Sequence, residues 1–171
     1  MFKPIAWEQR KLGEVSSSYS GGTPLATKKE YYNGTIPFIR SGEINSNSTE
    51  LFINDLALNS SSAKLVNEGD ILYALYGATS GEVGICRLKG AINQAILAIQ
   101  PFEGYNNIFI ANWLKNKKKH IVNTFLQGGQ GNLSGTIIKL LNIRFPNNLE
   151  QTKIGNLFYN LDSLIALHQR E

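Results

Sequence analysis

Along the first hundred residues apolar side chains come in short bursts separated by turn-forming residues. The segments 36–39, 71–76, 83–86 and 95–99 are apolar runs of four to six residues. They are bounded by Asn33-Gly34, Glu68-Gly69-Asp70, the stretch from Gly77 to Gly81, and Lys89-Gly90. Runs of this length between glycine- and asparagine-containing turns are the pattern of strands, because a strand is short and its ends need backbone conformations that few other residues adopt. The spacing predicts a curled β-sheet and not a helix bundle. Short helices are expected at Lys28 to Tyr32 and at Asp55 to Leu58.

From Asn106 the period changes. Ile108, Ile110, Ala111, Trp113, Leu114, Ile121, Val122, Phe125 and Leu126 recur at helical spacing, which predicts one long helix or two short ones. A loop from Gln127 to Asn132 follows, then a helix from Ser134 to Leu141 and a strand at Ile143-Arg144-Phe145. Pro146 ends that strand, since it has no amide hydrogen to donate to a ladder.

The tail carries the clearest pattern. Asn148 with Gln151 three residues on is a capping-box arrangement. Beyond it Ile154, Leu157, Phe158, Leu161, Leu164, Ile165 and Leu167 repeat at steps of three and four. A helix from Leu149 to the last residue would be at least ~30 Å long at ~1.5 Å per residue. Its apolar stripe demands a partner surface. Either the helix projects beyond the domain or it folds back onto it.

Composition narrows the function classes. With 42% hydrophobic and 18% charged residues in 171, the chain is an ordinary globular protein, and its length suits one domain plus an appendage. No apolar run approaches the ~20 residues of a membrane span, and Met1-Phe2-Lys3-Pro4 lacks the layout of a secretory signal. No membrane association and a cytoplasmic location are expected. Cys86 is the single cysteine and reads as a small buried apolar residue. The net charge of +4 is unevenly spread: between Gly104 and Leu149 six basic residues (Lys115, Lys117, Lys118, Lys119, Lys139, Arg144) meet no acid. Such a block suits a polyanion, and equally a solvated helix face.

Catalytic parts are missing. There is no Asn-Pro-Pro-aromatic or Asp-Pro-Pro-Tyr segment of the amino-methyltransferase kind and no Pro-Asp followed by Glu-x-Lys of a metal-dependent nuclease. His120 and His168 stand apart without a spaced carboxylate or cysteine, so no metal site is expected. The glycine-rich stretches 77–84 and 128–131 lack the Gly-Lys-Ser/Thr ending of a phosphate loop and read as turns. Ser134 has no adjacent base in sequence, so no nucleophile is assigned.

Read in order, several segments form a series. Trp7-Glu8-Gln9-Arg10-Lys11-Leu12-Gly13-Glu14 opens it, followed by Gly21-Gly22-Thr23-Pro24 and the stretch from Tyr31 to Ile44. Ser62-Ala63-Lys64-Leu65, Glu68-Gly69-Asp70-Ile71-Leu72 and Asn93-Gln94-Ala95-Ile96 come next. The loop ending in Leu133-Ser134, the run from Leu149 to Ile154, and Leu161-Asp162 complete it. This series resembles a target recognition domain of the specificity subunit of type I restriction–modification systems, followed by the start of its spacer helix.

The resemblance implies an α+β fold: a curled β-rich recognition domain at residues 1–147 with flanking helices, and a long amphipathic helix at 148–171. It implies a non-catalytic subunit that reads one half of a bipartite site in double-stranded DNA and directs modification (methyltransferase) and restriction subunits to it. S-adenosylmethionine, ATP and Mg are expected only in those partner subunits. A full subunit of the family carries two domains and two helices where this length accommodates one of each. A homodimer through Ile154, Leu157, Phe158, Leu161, Leu164 and Ile165 is therefore expected. A second class, a protein-interaction module docking a partner through its C-terminal helix, fits the same helix and is separated by salt-dependent duplex binding.

Base edges are read by side chains with paired donors and acceptors on loops that enter a groove. Three loops qualify, and Arg40, Ser41, Glu43, Asn45, Thr79, Gln130 and Asn132 are the expected base readers on them. Lys115, Lys117, Lys118 and Lys119 are the expected phosphate contacts, which position without selecting. Gly21-Gly22-Thr23-Pro24 has the chemistry of a fixed turn, and Asn93-Gln94 that of partners for buried backbone groups.

Overall fold

Strands β6 (Ile71–Ala74) and β9 (Ile96–Pro101) present apolar side chains on both faces, and all four residues of β6 and the first four of β9 are buried. Successive side chains in a strand point to opposite sides, so such a pair must be covered above and below. A computed structural model of the chain, describing residues 6–126 and 131–169, shows how this is done. The two strands sit at the centre of an antiparallel sheet in the order β2-β9-β6-β7, with β2 (Ser16–Ser20) and β7 (Val83–Ile85) at its edges. Ile71 lies opposite Ile99 and Tyr73 opposite Leu97.

One face of the sheet, carrying Ile71, Tyr73, Leu97 and Ile99, packs on Phe109, Ile110, Leu114 and Ile121 of α3 (Asn107–Leu126). The other, carrying Leu72, Ala74, Ile96 and Ala98, packs on Ile39, Ile44, Val66 and Ile92. Those last four belong to or flank a second sheet in the order β4-β3-β8-β5, formed by β3 (Ile36–Ile39), β4 (Phe52–Ile53), β5 (Lys64–Val66) and β8 (Gly90–Ile92). In it β3 and β8 run parallel. A two-stranded ribbon of β1 (Glu8–Lys11) and β10 (Asn142–Phe145) completes the domain. Phe145 carries it onto α3 through an aromatic contact with Phe109 at 5.8 Å. The α+β architecture with a long C-terminal helix is thus as the resemblance implied.

The strand expected at 71–76 ends at Ala74, because Leu75 turns to bond the Ala95 carbonyl and receive the Leu133 amide. The region from Asn106 forms one continuous helix, with the Asn106 side chain accepting the Phe109 amide at 2.9 Å. Lys28 to Tyr32 is a single 3-10 turn at Lys29–Tyr32. The short helices are α1 (Leu12–Val15), α2 (Asp55–Asn59) and α4 (Gly135–Lys139). Ser134 caps α4 from outside by accepting the Ile137 amide, so this helix is shorter than the pattern suggested.

Gly21-Gly22-Thr23 and Ile92-Asn93-Gln94 meet in one joint. The Gly21 amide donates to the Asn93 carbonyl at 3.2 Å, and a Cβ at Gly21 would overlap the Ile92 carbonyl. Thr23 donates to the Gln94 side chain at 2.7 Å, and Asn93 Oδ1 accepts the Ala95 amide. Cys86 is buried, which pushes its thiol up from the ordinary value.

The C-terminal helix α5 (Asn148–His168) corrects one expectation. Its N-cap is Asn147, whose side chain accepts the Glu150 amide at 2.9 Å; Asn148 already lies within the helix. The one-residue shift turns Gln151 to the inner face instead of back toward the cap. Gln151 is only 2% exposed; its Oε1 accepts the Asn106 amide at 2.9 Å and its Nε2 donates to the Pro146 carbonyl at 3.0 Å. One turn on, Gly155 is buried where a Cβ would lie 3.0 Å from Asn106 Oδ1. The base of α5 is thereby seated on the start of α3. From Leu157 on, its apolar side chains are exposed.

Removing a buried hydrogen-bonding side chain strands its partners at ~1–3 kcal/mol. Gln151→Ala should lower the unfolding free energy by about that amount, read as a lower urea midpoint. Asn156→Ala, on the exposed side of the same helix, should leave the midpoint near wild type.

Candidate nucleic-acid interface

Arg40 leaves β3, and the short 3-10 turn Ser41–Glu43 folds Glu43 back beneath it. Glu43 Oε2 accepts the Arg40 backbone amide at 3.0 Å and its Nε at 3.3 Å, while Oε1 accepts Nη2 at 2.8 Å. The Thr49 hydroxyl and the Glu50 backbone amide both donate to the same carboxylate, at 3.0 Å and 3.4 Å. A second acid, Glu50, accepts from Arg40 Nη2 at 2.7 Å. Burial alone would raise the Glu43 carboxyl, but the Arg40, Thr49 and Glu50 donors outweigh it and hold the group down at about 2. The same hydrogen bond to Glu43, followed by that to Glu50, pushes the guanidinium up from its ordinary value. Ser41 is half-buried on this turn, and Gly42, Ser46, Ser48 and Thr49 line the open recess around the pair.

Asn45 is exposed and lies against the edge strand β7. Gly84 makes this possible, because a Cβ there would overlap the Ile44 carbonyl and come within 2.8 Å of Asn45 Oδ1. Asn45 shares a cleft with Arg87, Asn112 and Lys115, closed on the far side by Tyr159 and Asp162 of α5. Lys115 and Asp162 approach to 3.9 Å. Arg87 and Asn112 had no sequence signal of their own. Arg87 stands exposed in a turn between strands, where a basic residue is ordinary in sequence, and only the fold brings it to Lys115.

The turn from Leu75 to Glu82 forms a second group. Gly77 and Gly81 adopt φ of +85° and +81°, which other residues rarely do. Thr79 is half-buried between them. The turn rests on α3, where Glu82 pairs with Lys118. The Leu133 amide donates to the Leu75 carbonyl at 3.0 Å and so brings exposed Asn132 to the same turn. Gln130 lies outside the described residues. Lys117 and Lys119 are exposed and make no ion pair among the described residues. The structure therefore joins Thr79, Lys118 and Asn132 in one group and Asn45 with Lys115 in another. Arg40, Ser41 and Glu43 make a third, linked to the second by the loop that Gly84 admits.

Ile154 is half-buried and packs on its own domain's core, whereas Leu157, Phe158, Leu161, Leu164 and Ile165 are exposed. Phe158 also lines an apolar groove with Trp7, Phe109, Trp113 and Ile154. Among the described residues, no helix is long and apolar enough to cross a membrane, and no group of three His, Cys, Asp or Glu side chains is placed to hold a metal ion.

The depressed Glu43 carboxyl has a pH consequence. Its ionised form is favoured in the folded chain relative to its ordinary 4.5, so the stability it contributes is complete above about 4.5 and is lost as pH falls toward about 2. Glu43→Gln should flatten that part of the acid-unfolding profile while leaving stability above pH 5 less affected by pH than by the lost charge. Superimposable wild-type and variant acid limbs would show that the network does not persist in solution.

The model of the family described as type I restriction modification DNA specificity domain matches residues 4–171. The chain is 26% identical over 176 residues to the specificity subunit of the type I restriction enzyme MjaIX of Methanocaldococcus jannaschii, a match covering 98% of this chain and 40% of that one. It is 27% identical over 172 residues to the EcoR124I/EcoR124II specificity subunit of Escherichia coli, covering 95% and 43%. Among solved structures, the HsdS subunit of Thermoanaerobacter tengcongensis superposes with a TM-score of 0.75 at 18% identity, covering 99% of this chain and 40% of that one. The type I restriction–modification S subunit of M. genitalium gives 0.72 at 15% identity, covering 96% and 41%. The chain thus spans 40–43% of the length of the curated relatives it matches. By the extent of the family match, this chain belongs to the type I restriction modification DNA specificity domain family.

Proposed function

We propose that the chain is a non-catalytic DNA-recognition unit that reads one half of a bipartite site in double-stranded DNA and directs methyltransferase and restriction subunits to it. The observation that carries this reading is the family match across residues 4–171. Three loop groups bearing Arg40, Asn45 and Thr79, with exposed lysines on α3, give it a physical basis. In this reading Arg40, Ser41, Asn45, Thr79, Gln130 and Asn132 meet base edges, and Glu43 serves through Arg40. Lys117 and Lys119 meet phosphates; Lys115 and Lys118 do so after giving up Asp162 and Glu82. S-adenosylmethionine, ATP and Mg are bound by the partner subunits.

The uncovered stripe of Leu157, Phe158, Leu161, Leu164 and Ile165 is the surface on which a second copy packs in this reading. A two-fold pair would present the same residues on both sides of the contact and place two recognition units in one complex. Light scattering of the chain at micromolar concentration should give the dimer mass, and Leu161→Glu should return the monomer. A wild-type monomer would remove the homodimer from this account.

Co-expression with a cognate modification subunit, followed by mapping of methylated adenines on host DNA, tests the function itself. A split methylated motif is expected, palindromic if two identical copies share one enzyme. Absence of methylation with both chains stably expressed would overturn the directing role. In direct binding, Lys117→Ala and Lys119→Ala should weaken all duplexes alike and each reduce the salt slope by about 0.9, whereas Arg40→Ala should change base preference.

A further inference from the structure

The two acids that hold Arg40 are held very differently themselves. The Glu43 side chain is 15% exposed and its carboxylate is engaged by Arg40 Nε, Arg40 Nη2, two backbone amides and the Thr49 hydroxyl. The Glu50 side chain is 81% exposed and gives Arg40 a single bond, to Nη2 at 2.7 Å. A guanidinium has five donors in a fixed fork. Glu43 takes its side-on edge, Nε with Nη2; of the end-on edge, Nη1 with Nη2, Glu50 meets Nη2 alone.

We infer that Glu43 is a positioning residue that fixes the Arg40 fork, and that Glu50 is an exchangeable counter-ion whose place a pair of nucleic-acid acceptor atoms takes on binding. This rests on the DNA-recognition reading. The end-on edge has the geometry that meets two acceptors at once, either O6 and N7 of a guanine or two phosphate oxygens. The recess beyond it is open: Gly42 has no neighbour within 4 Å of where a Cβ would stand, and Ser46 and Ser48 at the rim are exposed. Exposed ion pairs are weak and easily exchanged. Glu43 cannot leave in the same way, because its departure would strand a half-buried carboxylate and the donors bound to it. Arg40 is therefore ordered before DNA arrives, and the cost of binding falls on the weaker of its two acids.

A double-mutant cycle on the whole chain tests this, with a duplex library randomised over its central positions as the probe and fluorescence anisotropy and sequencing of the bound fraction as readouts. Glu50→Gln should tighten binding by about 2- to 5-fold, the worth of an exposed ion pair, and should have no effect when Arg40 is already Ala. Equal tightening in both backgrounds would mean that Glu50 acts only through the general field, and no tightening in either would mean that it is not displaced; each overturns the exchange. Glu43→Gln should lower the urea midpoint at neutral pH, where the ionised carboxylate is stabilising, and, measured where the variant is fully folded, should reproduce the binding pattern of Arg40→Ala. If Glu43→Gln keeps the wild-type affinity and preference where Arg40→Ala loses either, the positioning role falls. Loss of preference at one position in Arg40→Ala assigns the acceptors to a base edge, and uniform loss with a salt slope smaller by about 0.9 assigns them to phosphate. Failure of the wild-type chain to bind any duplex would overturn the DNA reading together with this inference, whereas binding without coupling between Arg40 and Glu50 overturns this inference alone.

Discussion

Strand β6 sends Ile71 and Tyr73 into one core and Leu72 and Ala74 into another, and β9 divides Leu97 and Ile99 from Ile96 and Ala98 in the same way. A strand pair buried on both faces has no freedom of register, because a slip of one residue would exchange every side chain between the two cores. The rest of the domain is hung from this pair. Helix α3 covers one face and the β3/β8 sheet the other, so the positions of Lys115 and Lys118 and of Arg40 are set by opposite sides of one rigid layer. Strand β7, at the open edge of that layer, carries Gly84, and the absence of a side chain there lets the loop bearing Asn45 approach it. Loops far apart in sequence are thus fixed relative to one another by backbone contacts and not by their own stiffness.

The buried strands were legible in sequence for the same reason that they organise the fold: apolar runs between glycine-containing turns leave few alternatives. Strands β1 and β2 were not. β1 reads Glu-Gln-Arg-Lys and β2 reads Ser-Ser-Ser-Tyr-Ser, and neither has an apolar alternation to detect. They are strands because β10 and β9 offer them hydrogen-bond partners, which is tertiary information. The cap of α5 differed by one residue because Asn147 and Asn148 are chemically equal as caps, and only the need to point Gln151 at Asn106 and Pro146 decides between them. The candidate interface was legible as loops and less so as roles. Arg40 and Glu43 read as two independent polar residues, since nothing in the sequence says that the turn through Ser41 and Gly42 closes one onto the other. Family resemblance supplied the functional class, which the modest net charge would have left open.

Helix α5 joins two mechanical regimes. Its first two turns are part of the domain: Gln151 satisfies the Asn106 amide that begins α3, and Gly155 lets the two backbones approach. Its later turns carry exposed leucines and isoleucine that the domain does not cover. Rigid attachment at one end with an uncovered stripe at the other suits an element that sets the spacing between the recognition loops and whatever packs on the stripe. If the base were loosely hinged, the distance between those loops and a partner on the stripe would not be defined.

The same division between fixed and exchangeable parts recurs at Arg40 on a smaller scale. An arginine free in solution samples many rotamers, and holding a long side chain in one pose costs up to ~2 kcal/mol of entropy. Here Glu43 has already imposed that order, through contacts that bring the carboxyl itself down to about 2 and keep it ionised at any neutral pH. The remaining partner, Glu50, is solvated and bonded once. Discrimination between ligands then depends on what can replace one weak carboxylate contact at a fork whose direction is set. A misplaced acceptor pair cannot be accommodated by swinging the guanidinium without breaking the Glu43 contacts, and that rigidity is what would turn a favourable charge interaction into a selective one.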